Sequence, residues 1–379
     1  MYKIFIMILL VCGFAVPACG QVVLKDSAKV KITIKGLFQS RYSFSAHKNI
    51  DVTGLHHTDG KAADNDFDIK RARLQFTSEI SDRTAVVLLL NLADFKSDPK
   101  NKVLENAYIT YRLNRFVNFK TGQFRPAFGL EDMYPVDVIK SLDYSNQYTA
   151  FGNNGWQSFQ IGASVYGALQ GKIPMKYEVS VVNGNNRNQI MDNDNGKHFL
   201  SRIELLLDKR MNIKLGINTG MGLVFDKKVY ASGLDLSSVI PLARKWSMIL
   251  EAEIKQGNNH VLFASLDSAS RQGSVSAYQM RGIYILPNLR YAINYHRLSS
   301  LEVSCRYENF DKDFKHQGAD AKSGSNTRST LTPMISAEFL KTYNARIQIG
   351  ANIDFYKKDI AATTQYNNSL FIVQIQSRL

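Results

Sequence analysis

The chain has 379 residues, 45% of them hydrophobic, and 47 Lys and Arg against 33 Asp and Glu give it a formal charge of +14. That apolar share is too high for a disordered chain, and its three cysteines, Cys12, Cys19 and Cys305, exclude a disulfide framework and a Cys-based zinc site. A mean hydropathy of −0.20 excludes a polytopic helical membrane protein but leaves a membrane β-barrel open, because half of a barrel's side chains face water.

At the N-terminus, Lys3 precedes an uncharged apolar run from Ile4 to Val16, and Ala18-Cys19-Gly20 puts small residues at positions −3 and −1 before Gln21. This is the layout of a secretory signal peptide, so 1–20 is expected to be a cleaved leader and 21–379 the barrel domain. Lipidation at Cys19 is the rival processing route, and Pro17 fits it badly. The best later candidate for a membrane helix, Ala85 to Ala93, is about half the length needed.

Period-two alternation then dominates. From Val30 to Ser45 one face reads Val30, Ile32, Ile34, Gly36, Phe38, Ser40, Tyr42, Phe44, and the other Lys31, Thr33, Lys35, Leu37, Gln39, Arg41, Ser43. Successive side chains of a strand point to opposite faces, so alternation this long is a strand. The same pattern sets Ala72, Leu74, Phe76 against Arg71, Arg73, Gln75, and Leu301, Val303, Tyr307 against Glu302, Ser304, Arg306. It returns with Ile347, Ile349, Ile353 against Arg346, Gln348, Asp354, and closes with Phe371, Val373, Ile375 against Gln374, Gln376, Arg378. The pattern predicts about sixteen strands, at 30–45, 67–80, 84–96, 104–113, 116–125, 154–168, 172–183, 198–207, 211–224, 228–240, 245–256, 275–286, 299–310, 328–341, 344–356 and 368–379. Segment 287–298, with Pro287, should be a short turn but is too long for one.

Soluble sandwiches also alternate. Two features favour a membrane barrel. The strands run to about ten residues, where soluble strands average about five or six. Short connections such as 81–84, 114–115, 208–210 and 341–343 also alternate with long polar ones near 46–66, 125–153, 183–197, 257–274, 311–327 and 357–367. The fold class is therefore an all-β transmembrane antiparallel barrel with short periplasmic turns and long extracellular loops. Sixteen strands enclose an aqueous channel rather than a side-chain core. Tyr42, Phe44, Tyr108, Tyr111, Phe355 and Tyr356 near strand ends suit interfacial girdles or ordinary strand packing.

With the apolar face to lipid, Lys31, Lys35, Arg41, Arg71, Arg73, Lys120, Lys214, Arg306 and Arg346 point inward. Cations along a wet passage lower the entry cost for anions, and Arg matches phosphate oxygens in pairs. The competing reading is a solvated wall balanced by Glu79, Glu302, Glu308 and Asp354. Loop cations would instead meet lipopolysaccharide phosphates. Nucleic acid is a poor partner for an exported chain with no nucleic-acid motif.

Three segments carry a family resemblance. Asp68-Ile69-Lys70-Arg71-Ala72-Arg73-Leu74-Gln75-Phe76, Leu104-Glu105-Asn106-Ala107-Tyr108-Ile109-Thr110-Tyr111 and Lys120-Thr121-Gly122-Gln123-Phe124-Arg125-Pro126-Ala127-Phe128-Gly129-Leu130-Glu131 resemble successive segments of the phosphate-selective porin O and P family. Val181-Val182-Asn183-Gly184-Asn185 and Arg306-Tyr307-Glu308 match two shorter marks. The resemblance implies a sixteen-stranded outer-membrane porin, a homotrimer, with the loop at about 126–152 folded into the lumen. That loop holds Glu131, Asp132, Asp137, Lys140 and Asp143, so it is not strongly basic. In the same stretch Gly122 admits a close backbone approach, Pro126 should end its strand, and Arg125 stands where strand meets loop, at the rim of a constriction.

Other chemistry is thin. His56-His57 is a loop pair that could touch a metal but more simply meets solvent. Asp192-Asn193-Asp194-Asn195-Gly196 is calcium-like in composition but misses the EF-hand spacing. No P-loop, dinucleotide fingerprint, nucleophile elbow or HExxH is found. No catalytic residue, metal or cofactor is expected. The sequence thus reads as a porin of the Gram-negative outer membrane, forming an anion-preferring channel for small solutes, with phosphate or pyrophosphate as candidates. Lys31, Lys35, Arg41, Arg71, Arg73, Lys120, Arg125, Lys214, Arg306 and Arg346 are its candidate anion-binding residues. Its expected surroundings are small anions, outer-membrane lipid and lipopolysaccharide. The alternatives are a barrel enzyme such as a lipid hydrolase, for which no Ser-His pair can be assigned, and a surface adhesion barrel without a conducting pore.

Overall fold

The burial pattern is inverted relative to a water-soluble domain. Along Leu301–Glu308 the apolar Leu301, Val303 and Tyr307 are exposed, while Glu302, Ser304, Arg306 and Glu308 are each at most 5% exposed. Exposed Phe38, Ile109, Phe119, Val179, Ile254, Ile335 and Phe371 repeat this around the molecule, and Gln39, Asn218, Glu253, Gln348 and Gln374 are buried opposite them. An apolar outside and a polar inside fit a barrel solvated by lipid.

The computed structural model describes residues 22–25, 30–96, 103–189, 191, 195–268, 271, 273–315, 326–340 and 344–378. The expected leader with Cys12 and Cys19, the 341–343 connection, residues 192–194 of the calcium-like run, His316 and Leu379 lie outside them.

The strands are β1 (Val22–Lys25), β2 (Lys31–Ser45), β3 (Asn65–Glu79), β4 (Thr84–Asn91), β5 (Leu104–Arg112), β6 (Asn118–Phe124), β7 (Gln160–Leu169), β8 (Met175–Val182) and β9 (His198–Asp208). They continue as β10 (Ile213–Val224), β11 (Lys227–Ala243), β12 (Trp246–Asn258), β13 (Gln279–Tyr295), β14 (Leu298–Asp311), β15 (Arg328–Phe339), β16 (Ala345–Tyr356) and β17 (Asn368–Arg378). Each strand from β2 to β17 pairs antiparallel with its chain neighbour, and β17 closes on β2 from Leu370↔Ser45 to Arg378↔Leu37. That makes a closed sixteen-stranded barrel with no free edge, the only sheet form that leaves no backbone group unpaired in lipid. Strand β1 lies against Lys31–Ile34 of β2, just beyond where β17 ends. Among the described residues no helix is long and apolar enough to cross a membrane.

All sixteen expected strands are present, with three boundary corrections. The strand expected at 84–96 ends at Asn91 and turns into a 3-10 segment, Leu92–Lys96. The one expected from 154 starts at Gln160, because 154–159 belongs to a segment inside the barrel. Segment 287–298 is not a turn: β13 runs through Pro287 to Tyr295. Pro287 pairs with Leu250 of β12, but its side toward β14 is interrupted between Ile285↔Tyr307 and Asn288↔Ser304. Pro333 interrupts the β15–β16 ladder in the same way. A proline has no N–H to give, so one ladder breaks locally while the other continues.

Seven turns of two to five residues join the strands at one end, which is therefore periplasmic, and eight connections lie at the other. Tyr111 and Phe355 are exposed as girdle residues should be. Tyr108 and Tyr356 are not: Tyr108 packs on Phe124 inside, and Tyr356 stacks under the Arg328 guanidinium.

Candidate functional site

The lumen is organised by residues 125–159, a strap that leaves the wall at the end of β6 and returns at the start of β7. Pro126 ends the ladder at Phe124↔Gln160. Arg125 then turns inward and donates to Glu131 O (2.5 Å), Tyr134 O (3.1 Å) and the Tyr144 hydroxyl (3.0 Å), with Asp132 at 3.4 Å. It braces the strap's first turn rather than standing at an open rim. Helix α1 (Asn146–Asn153) follows; Ser145 caps it by accepting from Tyr148 N and gives its own hydroxyl to Glu131. Gly129 is at φ +105° with its Cα pressed against Glu253 and Lys255 of β12, and any Cβ there would strike both side chains. Gly122 likewise sits at φ +122° over the Ala107 carbonyl, as its close backbone approach requires.

Apolar contacts hold the strap at both ends. Phe128, Phe151 and Trp156 pack with Val182, Leu200, Val229 and Met280 of the wall. Toward the periplasmic end Val136 and Ile139 pack on Leu37, and Leu142 on Met334 and Ile372. Between them the strap offers backbone carbonyls to inward side chains. Arg346 donates to Ile139 O at 2.9 Å, Arg41 to Leu142 O at 3.2 Å, and Arg306 to Asp143 O at 2.7 Å. The β9–β12 and β13–β17 walls are sealed by these contacts: Lys255, Gln157, Glu302 and Glu338 are 0% exposed.

The sequence-derived cations fall inside, but mostly in ion pairs. Arg71 and Arg41, with Lys70, surround the Asp143 carboxylate at 2.7, 3.7 and 3.1 Å. Arg73 meets Glu105 at 2.7 Å, Lys120 meets Glu178 at 3.0 Å, and Arg306 meets Glu308 at 3.0 Å and Glu131 at 3.7 Å. Arg346 lies between Glu302 (3.7 Å) and Glu338 (3.9 Å). Lys31 is half exposed beside Glu79. Lys35 and half-buried Lys214 have no ion pair among the described residues. A cavity of about 350 Å³ at the periplasmic end brings Lys35, Arg73, Asp137 and Arg378 together, and one of about 650 Å³ lies between Thr77, Glu79, Arg112 and Tyr166. The strap occupies part of the broad aqueous lumen expected from strand number, and these two cavities at the periplasmic end are lined by β2–β5, β7, the strap and Arg378 of β17.

Sequence reasoning missed the other half of this network. Lys140 inserts between Glu302 (2.7 Å) and Glu338 (3.7 Å), Lys255 bonds Gln157 at 2.6 Å, and Arg202 pairs with Asp235 at 2.5 Å. Inward parity would have marked Arg202, Asp235, Glu253 and Lys255, but only the register Arg202↔Asn218 and Asp235↔Glu253 brings them together. On the strap, burial lifts the Glu131 carboxyl to about 7 against the pull of Arg306. Burial also lifts Asp132 to about 6 against Arg125. Burial opposes the charge of Asp143 too, but Arg71, Lys70 and Arg41 outweigh it and hold that carboxyl well below the usual range.

The sequence of residues 45–201 matches the family model for phosphate-selective porin O and P. Over that span the chain is similar to the phosphate-selective porin O and P family. The matched stretch takes in the strap and four of the ten candidate cations, Arg71, Arg73, Lys120 and Arg125. No curated protein matches the sequence. Among solved structures the barrel is similar to the outer-membrane channel DcaP of Acinetobacter baumannii, at 14% identity and a TM-score of 0.59, covering 94% of this chain and 99% of that one. It is similar to an anion-selective porin from Comamonas acidovorans at 8% identity and a TM-score of 0.58, covering 93% and 100%. A loop-deletion form of OmpT from Vibrio cholerae gives 9% and 0.57, covering 92% and 99%. At such identities these likenesses show the porin barrel fold.

Proposed function

We propose that the chain is an outer-membrane porin whose passage, narrowed by the strap, favours small anions. The observation that carries this is the strap itself, which concentrates Arg41, Lys70, Arg71, Arg73 and Arg125 around one narrow section of an otherwise sealed barrel. Cations at a constriction lower the energy of a passing anion and raise that of a cation. Their pairing with carboxylates makes the preference moderate, and Asp143 occupies the place a solute anion would take among Arg41, Lys70 and Arg71. Phosphate is the solute class that such a cluster of paired donors fits. A cleaved leader delivers the chain, and the assembly is a homotrimer, in keeping with the trimer form among the matched OmpT structures. The chain acts as a passive channel and not as an enzyme.

Planar-bilayer recording under a KCl gradient tests this. The expected result is stepwise conductance with a reversal potential on the chloride side of zero. Arg71→Gln with Arg73→Gln should move that potential toward zero. No conductance would end the channel reading, and a reversal potential on the potassium side would end the anion preference.

A further inference from the structure

The lumen cations are largely neutralised, so the chain's positive excess lies elsewhere. Arg83, Arg115, Lys172 and Arg297 sit singly in four of the periplasmic turns, and Lys209-Arg210 and Arg244-Lys245 sit as pairs in two more. All eight are exposed, none has an ion pair among the described residues, and Asp82 is the one carboxylate in these turns. That is an excess of seven, half of the formal +14. The connections at the opposite end, apart from the strap, hold thirteen Lys and Arg against twelve Asp and Glu, so they are close to neutral. The expected meeting of loop cations with lipopolysaccharide phosphates has little charge behind it.

The depth of the basic ring identifies its partner. Each cation stands within a few residues of outward apolar side chains that end the lipid-facing wall: Ile173 is 53% exposed, Leu242 54%, Trp246 42% and Tyr295 65%. Arg115 lies 4.5 Å over the Phe116 ring, and Lys245 lies 5.9 Å from the Tyr291 ring, which packs on Trp246 at 4.6 Å. Aromatic side chains of this kind sit at headgroup level. A cation beside them is held at the depth of lipid phosphates, and its aliphatic stem is long enough to reach them.

Resting on the reading of the chain as an outer-membrane barrel, we propose that the periplasmic ring, centred on Arg244-Lys245 beside Trp246, is a binding surface for anionic phospholipid headgroups of the inner leaflet. Each such cation near an anionic lipid surface is worth about 1 kcal/mol, about fivefold in local occupancy.

The two tryptophans supply the assay. Trp246 is on the ring, and Trp156 is 0% exposed in the interior. The full-length protein purified from membranes is reconstituted in bilayers of phosphatidylethanolamine and phosphatidylglycerol, with bromine on the chains of one lipid or the other. Brominated phosphatidylglycerol is expected to quench Trp246 about fivefold more effectively per molecule, and W246F to lose the quenching. R244Q/K245Q should bring the two lipids within twofold, and R244K/K245R should keep the difference. Equal quenching by both lipids overturns the inference and leaves the barrel standing. No quenching by either overturns the placement of Trp246 in lipid, and the barrel reading with it. Equal quenching combined with co-sedimentation on peptidoglycan sacculi, lost in R244Q/K245Q, overturns the lipid partner in favour of a carboxylate polymer.

Discussion

Replacing Asp143 with Asn removes the one carboxylate that, among the described residues, pairs within 4 Å with Arg71, Lys70 and Arg41. The Asn oxygen still accepts from Tyr144 N, the bond Asp143 now makes at 2.9 Å, so the strap keeps its local shape. The constriction gains one positive charge. If an anion passes about 7 Å away, that charge lowers its energy by about 0.6 kcal/mol at the dielectric constant of water and about 2.4 kcal/mol at an effective constant of about 20. These bounds correspond to about threefold and about sixtyfold in anion occupancy. The Asp143 side chain is 24% exposed, which places the effect in the lower part of that interval. The assay is the reversal potential under a tenfold KCl gradient, at low salt where screening is weak. A shift toward the chloride limit by a permeability ratio of at least about threefold is expected. An unchanged potential would refute the placement of this cluster beside the conducting path, and a shift toward potassium would refute the sign of the argument.

Four further outcomes follow from the same geometry. The carboxyls of Glu131 and Asp132 titrate at about 7 and about 6, so lowering pH from 8 to 5 adds positive charge to the lumen and should strengthen anion preference; Asp143, held low, stays ionised throughout. Because both folded values are raised, the native state binds more protons than the unfolded chain in that window, and the unfolding midpoint should rise as pH falls from 8 to 5; a midpoint that falls would contradict the burial of these groups. Trp156→Ala empties the centre of the cluster that holds the strap to the wall and should cost about 3–5 kcal/mol, read as a lower denaturant midpoint. Gly129→Ala drives a Cβ into Glu253 and Lys255 and should detach the strap there, seen as added open-channel noise and greater access of a protease to 125–159.

The strand inventory was legible because a barrel strand has one rule, polar in and apolar out, and Val30–Ser45 and Ala345–Phe355 obey it at most positions, with inward Leu37 the exception that packs on the strap. Pro287 broke legibility locally, since a proline mid-strand reads as a turn unless the partner that needs no hydrogen bond from it is known. The inward direction of Arg71 and Arg306 was likewise visible from parity, but their partners were not. Asp143 is 72 residues from Arg71 and Glu131 is 175 from Arg306, separations that no local pattern encodes. Acidic residues in 126–152 could be counted beforehand, yet only the path of the strap shows that Asp143 meets three cations while Asp137 meets Arg378 at the far end.

The sequence by itself therefore determined the barrel and its two faces, because side-chain alternation is a local property of the backbone, while the segment folded inward was implied by the family resemblance alone. Tertiary structure alone decided which charges cancel, which wall the strap seals and where the uncompensated cations lie. Those depend on ion pairs that form only at contact distance, between residues that closure of the barrel and the path of the strap bring together from distant parts of the chain.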